Sequence, residues 1–227
     1  MILPRNHVAC LLLALCLAPI TGAHAEDGYD LWLRYPPAPA AARAAIAERA
    51  RSIVVGDERS ASLDVAVREL RHGLAGLLGQ PVPLSAVIGD GSILLGTPDE
   101  LPALAGAGLP LGQLGPDGYL IRDLELDGHA VTAITANRDI GLVYGAFALL
   151  RMLQADKTAD RLDVLEAPRI RLRLLNHWDN LDRSVERGYA GQSLWDWWRL
   201  PDIVDRRYTD YARANASIGI NGTVLNN

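Results

Sequence analysis

The chain has 227 residues, with 22 basic and 27 acidic side chains and a formal net charge of -5. Its basic residues are spread among acidic ones, which argues against nucleic acid as the main partner, because phosphate binding concentrates cations on one face. The length allows one or two domains with a sizeable core. Beyond residue 25 no segment is apolar for long enough to cross a bilayer.

The opening MILPRNHVACLLLALCLAPITGAHA has an arginine near its start, an apolar run from Val8 to Leu17 and a small-x-small site at Ala23-His24-Ala25. This is the pattern of a cleavable secretory signal, expected over residues 1–25, with an apolar core short for a membrane span; an uncleaved anchor is the weaker alternative. Cys10 and Cys16 both lie inside it, so the mature chain is expected to have no thiol, disulfide or cysteine metal site. Leu15 ahead of Cys16 is larger than lipoprotein processing usually accepts, which speaks against a lipid anchor. A periplasmic or secreted protein with no membrane attachment after cleavage is the expectation.

Downstream, Leu31, Leu33 and Tyr35 alternate with Trp32 and Arg34 as in a short strand, halted by Pro36 and Pro37. The alanine-rich run from Ala38 to Ala50 favours helix, and Ser52 to Val55 reads as a strand. Ser62 is expected to open a helix in which Leu63, Val67, Leu70, Leu74 and Leu77 recur at helical spacing, ending at Gly79 and Pro81. Ser92 to Gly96 is a compact buried strand, and Thr97 to Gly115 a loop with room for one helical turn. GYLIRDLELDGHAVTAITA then gives two β-rich runs joined at Asp127-Gly128, a pair that tolerates the positive φ of a tight hairpin turn. Ile140, Val143, Tyr144, Phe147, Leu150 and Leu153 mark an amphipathic helix, with Asp139 placed to cap it. This mixture predicts an α+β sandwich over residues 26–168, with helices on one face of a small sheet.

Composition changes after Pro168: Trp178, Trp195, Trp197 and Trp198, four of the five tryptophans, follow within thirty residues. Arg171 to Asn176 reads as a strand whose C-terminal end delivers Asn176, His177, Trp178 and Asp179. Asp202 to Ser217 reads as a helix, and Gly222 to Asn227 as the next strand, ending in Asn226 and Asn227. Strand, loop, helix and strand make one βαβ unit of a parallel α/β fold. A (β/α)8 barrel takes roughly 250 residues, and residues 169–227 are about a quarter of that. The expectation is therefore the first strands of a truncated barrel.

In such barrels function sits at the C-terminal strand ends, where both Asn176-His177-Trp178-Asp179 and Asn226-Asn227 fall. A tryptophan there offers a flat apolar face to the C–H face of a sugar ring, with Asn, His and Asp available to its hydroxyls. Equally, Trp178 could pack beneath the loop while its polar neighbours bond the backbone. Three aromatics in four residues, Trp195, Trp197 and Trp198, more often anchor a long loop than bind a ligand. His177 has no second ligand at metal-binding spacing. Asp179 and Asp182 could form a carboxylate pair, yet Asp182 with Arg183 and Glu186 with Arg187 read equally well as a solvated loop. No nucleophile elbow, phosphate loop, zinc-protease helix or dinucleotide fingerprint occurs in the chain. Asn215-Ala216-Ser217 and Asn221-Gly222-Thr223 match the glycosylation pattern, but sit around an expected buried helix–strand junction.

EDGYDLWLRY, GSILLGTP, GPDGYLIR, GAFALLRMLQ, RLLNHWDNLDRSVERGYAG with its SLWDW continuation, and YARANASIGINGTVLNN together resemble the α-glucuronidases of glycoside hydrolase family 67, in order and over nearly the whole mature chain. The resemblance implies an N-terminal α/β domain, a (β/α)8 catalytic barrel and a helical C-terminal domain involved in dimerisation. It implies release, with inversion and without metal or other cofactor, of (4-O-methyl-)glucuronic acid α-1,2-linked to xylo-oligosaccharides. Trp178 then resembles the family tryptophan bordering the uronic acid subsite, and Asn226 and Asn227 the second strand end facing it, with His177 and Asp179 as neighbouring substrate contacts. The acid and base of the family come from later barrel strands, so no catalytic residue is assigned here, the chain alone is expected to be inactive, and a homodimer is expected only of the full-length enzyme. Two other readings stand beside this one. One is a carbohydrate-binding module that uses Trp178 and the Trp195 to Trp198 cluster as a stacking platform. The other is a different barrel glycosidase, such as a hexosaminidase relative.

Overall fold

The computed structural model of the chain describes residues 26–155 and 161–225. The expected signal segment 1–25 and the pair Asn226-Asn227 lie outside the described residues. The chain divides between Leu31 and Trp32, and every strand and α-helix among the described residues falls in the part Trp32–Asn227.

Residues Leu31–Leu33 form a 3-10 helix where alternation predicted a strand. Leu31 and Tyr35 have positive φ, 51° and 43°, which no strand accommodates. The alternation is nonetheless real in burial: Leu33 and Tyr35 enter the core. Trp32 donates its indole N–H to Ser217 Oγ at 2.7 Å.

Six strands form a mixed sheet in the order β2-β1-β3-β5-β4-β6. They are β1 (Ser52–Val54), β2 (Leu84–Ser85), β3 (Ser92–Leu95), β4 (Tyr119–Leu126), β5 (His129–Thr135) and β6 (Asp163–Glu166). β1, β2, β3 and β5 run parallel, while β4 is antiparallel to β5 and β6. The expected hairpin joins β4 to β5, with φ of 50° at Asp127 and 81° at Gly128. Neither β2 nor β6 was visible as a strand in the sequence.

Helices α1 (Ala40–Arg49), α2 (Ala61–Leu78) and α4 (Asp139–Gln154) pack on one face through Ile53, Ile93, Leu95, Ile121 and Ile134. On the other face Val54, Leu94, Val131 and Ala133 meet Leu101 and Leu104 around the short helix α3 (Pro102–Ala105). Cover on both faces explains why all of β3 is buried and apolar but for one serine. A Cβ on Gly73 would lie 2.5 Å from Leu150 Cδ2, so glycine there lets α2 approach α4 closely.

Two caps depart from expectation. Ser60, rather than Ser62, opens α2 and accepts from the Leu63 N–H at 3.0 Å, and Gly79 closes it in the left-handed region. Arg138, rather than Asp139, is the N-cap of α4 and makes no side-chain cap bond. Asp139 instead lies in the first turn, where its charge suits the helix dipole.

The remaining strands, β7 (Leu174–Asn176) and β8 (Gly222–Val224), form a parallel pair joined through α5 (Arg206–Ser217), the expected βαβ unit. α5 begins four residues later than Asp202 because Asp205 caps it, accepting from Arg207 N–H at 2.9 Å.

This unit is bonded to the larger sheet's layers. Arg213 of α5 forks onto Glu69 of α2, Nε to Oε1 at 2.8 Å and Nη2 to Oε2 at 2.7 Å. Glu69 is buried, and its hydrogen bond to Arg213 raises the guanidinium's pKa still further. Burial and the nearby Glu69 charge also push the Tyr35 phenol up. Arg151 of α4 donates to Ser217 O at 3.0 Å. Asp117 Oδ2 accepts from Arg173 and from Asn221, each at 3.1 Å. Asn221 also bonds Arg171 O and Arg173 N, so its amide is committed within the fold rather than offered for glycosylation.

Replacing Arg213 by Met strands the Glu69 carboxylate in the interior and should lower unfolding free energy by about 3 kcal/mol, whereas the paired change Glu69→Leu with Arg213→Met should recover most of that loss. Urea denaturation of the three proteins checks this.

Candidate functional site

β7 ends at Asn176, and the chain continues extended through His177, Trp178 and Asp179. His177 N–H extends the ladder to Val224 O at 2.9 Å, and Trp178 O accepts from Glu186 N–H at 2.7 Å. The chain then folds back on itself, Asp179 opposite Val185 and Ser184 opposite Gln192. Arg183 and Glu186 take positive φ, 72° and 55°, at its bends. Asn180 Nδ2 braces the loop by donating to Ser184 Oγ at 2.9 Å and Glu186 O at 2.7 Å.

In an extended segment alternate side chains point to opposite sides. Trp178 is 56% exposed, whereas Asp179 is only 3% exposed. The Asp179 carboxylate accepts a hydrogen bond from Ser193 Oγ, and Ser193 Oγ in turn accepts from Trp195 N–H at 2.9 Å. Its other oxygen stands 3.7 Å from His177 Nδ1. His177 Nε2 meets the Tyr211 hydroxyl of α5 at 2.6 Å. Thus the sequence-predicted residues His177, Trp178 and Asp179 come together at one strand end, but two of them face protein and one faces solvent.

Beside His177 sits an aromatic cluster. Trp195 is buried, with its ring 4.8 Å from Tyr208, 5.5 Å from Tyr211 and 6.0 Å from His177. Tyr208 OH accepts from Asp196 N–H at 2.9 Å, and Arg183 pairs with Asp196 at 3.0 Å. A cavity of about 510 Å³ adjoins the cluster, with Trp195, Tyr208, Tyr211, Tyr144 and Asp117 in its wall.

The three clustered tryptophans therefore do different things: Trp195 anchors the loop, Trp197 is half-buried and Trp198 is exposed. With Trp195 buried, the cluster does not act as a whole as a stacking platform beside Trp178, and the binding-module reading is not favoured. Asp182 does not join Asp179 as a carboxylate pair. It accepts from both the N–H and the hydroxyl of Ser184, which holds its carboxyl below the usual range. Sequence reading missed Ser193, Tyr208, Tyr211 and Thr223. The spacing of Tyr208 and Tyr211, three apart on a helix, was the available sign of a shared face.

Two family models match the chain, and both describe glycosyl hydrolases. The family 67 N-terminus covers residues 31–149 and the family 67 middle domain covers residues 152–227. The chain belongs to glycosyl hydrolase family 67. It is 34% identical to a protein of Aspergillus fumigatus named "Probable alpha-glucuronidase A", over 93% of this chain and 25% of that one. It is likewise 34% identical to "Alpha-glucuronidase A" of Aspergillus tubingensis, over 96% of this chain and 25% of the relative. The chain thus spans about a quarter of the length of these curated relatives. Among solved structures it resembles a family GH115 4-O-methyl-α-glucuronidase with specificity for decorated arabinogalactans. The TM-score is 0.55 at 15% identity, covering 76% of this chain and 24% of the other, which is a likeness of fold.

Trp195→Ala should cost about 3–5 kcal/mol, the range for emptying a buried aromatic site. Trp178→Ala should cost less than about 1 kcal/mol, as for a surface position. Chemical denaturation of the two variants side by side checks the contrast.

Proposed function

We propose that this chain is the N-terminal portion of an α-glucuronidase acting on xylan-derived oligosaccharides. The enzyme would hydrolyse (4-O-methyl-)glucuronic acid α-1,2-linked to xylose, with inversion at the anomeric carbon. Membership of family 67 across both matched domains carries this reading, and the names of the relatives fit it. In this proposal β7 and β8 are the first two strands of a (β/α)8 barrel that begins after a separate domain ending near residue 168. Trp178 supplies an apolar floor for the uronic acid ring, and Asn226 and Asn227, outside the described residues, are assigned as further substrate contacts.

Inversion needs one carboxylic acid to protonate the leaving oxygen and a carboxylate base, roughly 6.5–9.5 Å from it, to activate water on the opposite face. A cationic clamp for the uronate carboxylate is needed as well. Here Asp179 is turned inward and bonded to Ser193, and Asp182 is spent on Ser184. By the family resemblance, the acid, base and clamp are assigned to polypeptide beyond residue 227, and the 227-residue chain by itself is proposed to be inactive. The enzyme is placed in the periplasm or medium on the strength of the signal-like residues 1–25, and homodimerisation belongs to the full-length protein.

Proton NMR of the reaction on an aldouronic oligosaccharide tests this reading. A polypeptide carrying this chain as its N-terminal part should release glucuronic acid first as the β-anomer, while residues 1–227 alone release none. An α-anomer product would contradict inversion, hydrolysis by residues 1–227 would contradict the assignment of the carboxylates, and cleavage of N-acetylhexosaminides instead would contradict the substrate class.

A further inference from the structure

The residues flanking Trp178 are connected to each other through protein. Along the extended segment His177 and Asp179 share one side and Trp178 takes the other. From Trp195 N–H the connection runs to Ser193 Oγ, from the Ser193 hydroxyl to Asp179, across 3.7 Å to His177 Nδ1, and from His177 Nε2 to Tyr211 OH. It links the loop, the end of β7 and helix α5.

With a neutral imidazole, donor and acceptor chemistry gives the relay one consistent sense. A carboxylate accepts only, so the approach of Asp179 favours hydrogen on the Nδ1 that faces it. Nε2 then has a lone pair, and the Tyr211 hydroxyl donates to it. Thr223, whose own hydroxyl donates to Leu175 O at 3.2 Å, stands 3.5 Å from Tyr211 OH against 2.6 Å for His177 Nε2, so the imidazole is the nearer acceptor for the Tyr211 proton. The 3.7 Å between Asp179 and Nδ1 is an electrostatic approach rather than a formed hydrogen bond, so Tyr211 makes the closer hold on the ring.

We propose that Tyr211, Asp179 and Ser193 are positioning residues that fix His177 in its Nδ1–H tautomer and thereby hold the Trp178 indole toward substrate. His177 and Asp179 are then supports of the subsite rather than contacts within it. The proposal rests on the reading of Trp178 as the floor of the sugar site. It assigns Tyr211, which lies on α5, a part in that site through His177.

The test is made on the 227-residue chain labelled with nitrogen-15 and without ligand. His177 is assigned from a His177→Gln variant and the Trp178 signals from Trp178→Phe. Long-range proton–nitrogen spectra should show His177 as the Nδ1–H tautomer alone. An Nε2–H or mixed ring in the unaltered chain overturns the proposal without any variant. Tyr211→Phe, which keeps the ring, should give a mixture of tautomers and lower the Trp178 backbone order parameter from about 0.85 toward 0.6. Asp179→Asn should bring the Nε2–H tautomer forward, as loss of an acceptor-only partner does elsewhere. Thr223→Ala should leave the tautomer unchanged. A Tyr211→Phe protein that folds but keeps both the Nδ1–H ring and a rigid Trp178 refutes the positioning role. Because these signals are read without substrate, they fail separately from the sugar-site reading, which fails if the relay is intact but Trp178 has no effect on turnover.

Discussion

The geometry of the strand end depends on one buried ion pair well away from it. Glu69 lies among buried helix residues that are otherwise leucine, valine, alanine and glycine, and taking its charge from water is costly unless a well-shaped partner compensates. Arg213 does so with two parallel bonds, the geometry a guanidinium forms with a carboxylate and an ammonium cannot. The fork sets the rotation of α5 about its axis. Tyr211, two residues earlier, is turned from Arg213 by roughly 200°, so anchoring one side of the helix on α2 presents the other to β7 and β8. Tyr211 then meets His177, and Tyr208 packs on Trp195. Ser217, at the end of the same helix, is held by Trp32 and Arg151.

Trp178 follows from that arrangement. A tryptophan between histidine and aspartate is unusual company for a large apolar ring, and here the polar pair explains it. Both neighbours are drawn into the protein by Tyr211 and Ser193, so the residue between them in an extended backbone has only the opposite side available. The exposed indole is a consequence of satisfied neighbours. Under the proposed function, this exposed aromatic at the C-terminal end of a parallel strand is the apolar face offered to the sugar. Membership of family 67 gives that face a chemical context.

Local signals in the chain were legible where one force dominates. Leucine and valine spacing marked α2, positive-φ residues marked the turn at Asp127-Gly128, and continuous burial marked β3. Leu31 to Tyr35 misled because alternation records which side chains are buried, and a 3-10 turn can bury the same two residues without a ladder. β2 and β6 are short edge strands whose existence depends on neighbours distant in sequence. Glu69 was invisible for the same reason: a glutamate beside Leu70 reads as solvated until Arg213 is placed against it. Of the site, the strand end at residues 176–179 could be found from its sequence and its outward tryptophan only suspected. Ser193, Tyr211 and Thr223 come from three other elements and acquire their roles only when the βαβ unit closes.

At the centre of this account is Trp178 as the sugar-facing residue, carried by inward-facing neighbours. Steady-state kinetics on an aldouronic oligosaccharide, comparing an active polypeptide that contains this chain with its Trp178→Ala variant, addresses it most directly. Loss of a stacking partner worth roughly 1.5 kcal/mol beyond its area predicts a fall in kcat/KM of at least about tenfold, with stability hardly changed. An unchanged kcat/KM in a folded variant would contradict the account and leave the exposed indole without a role in the site.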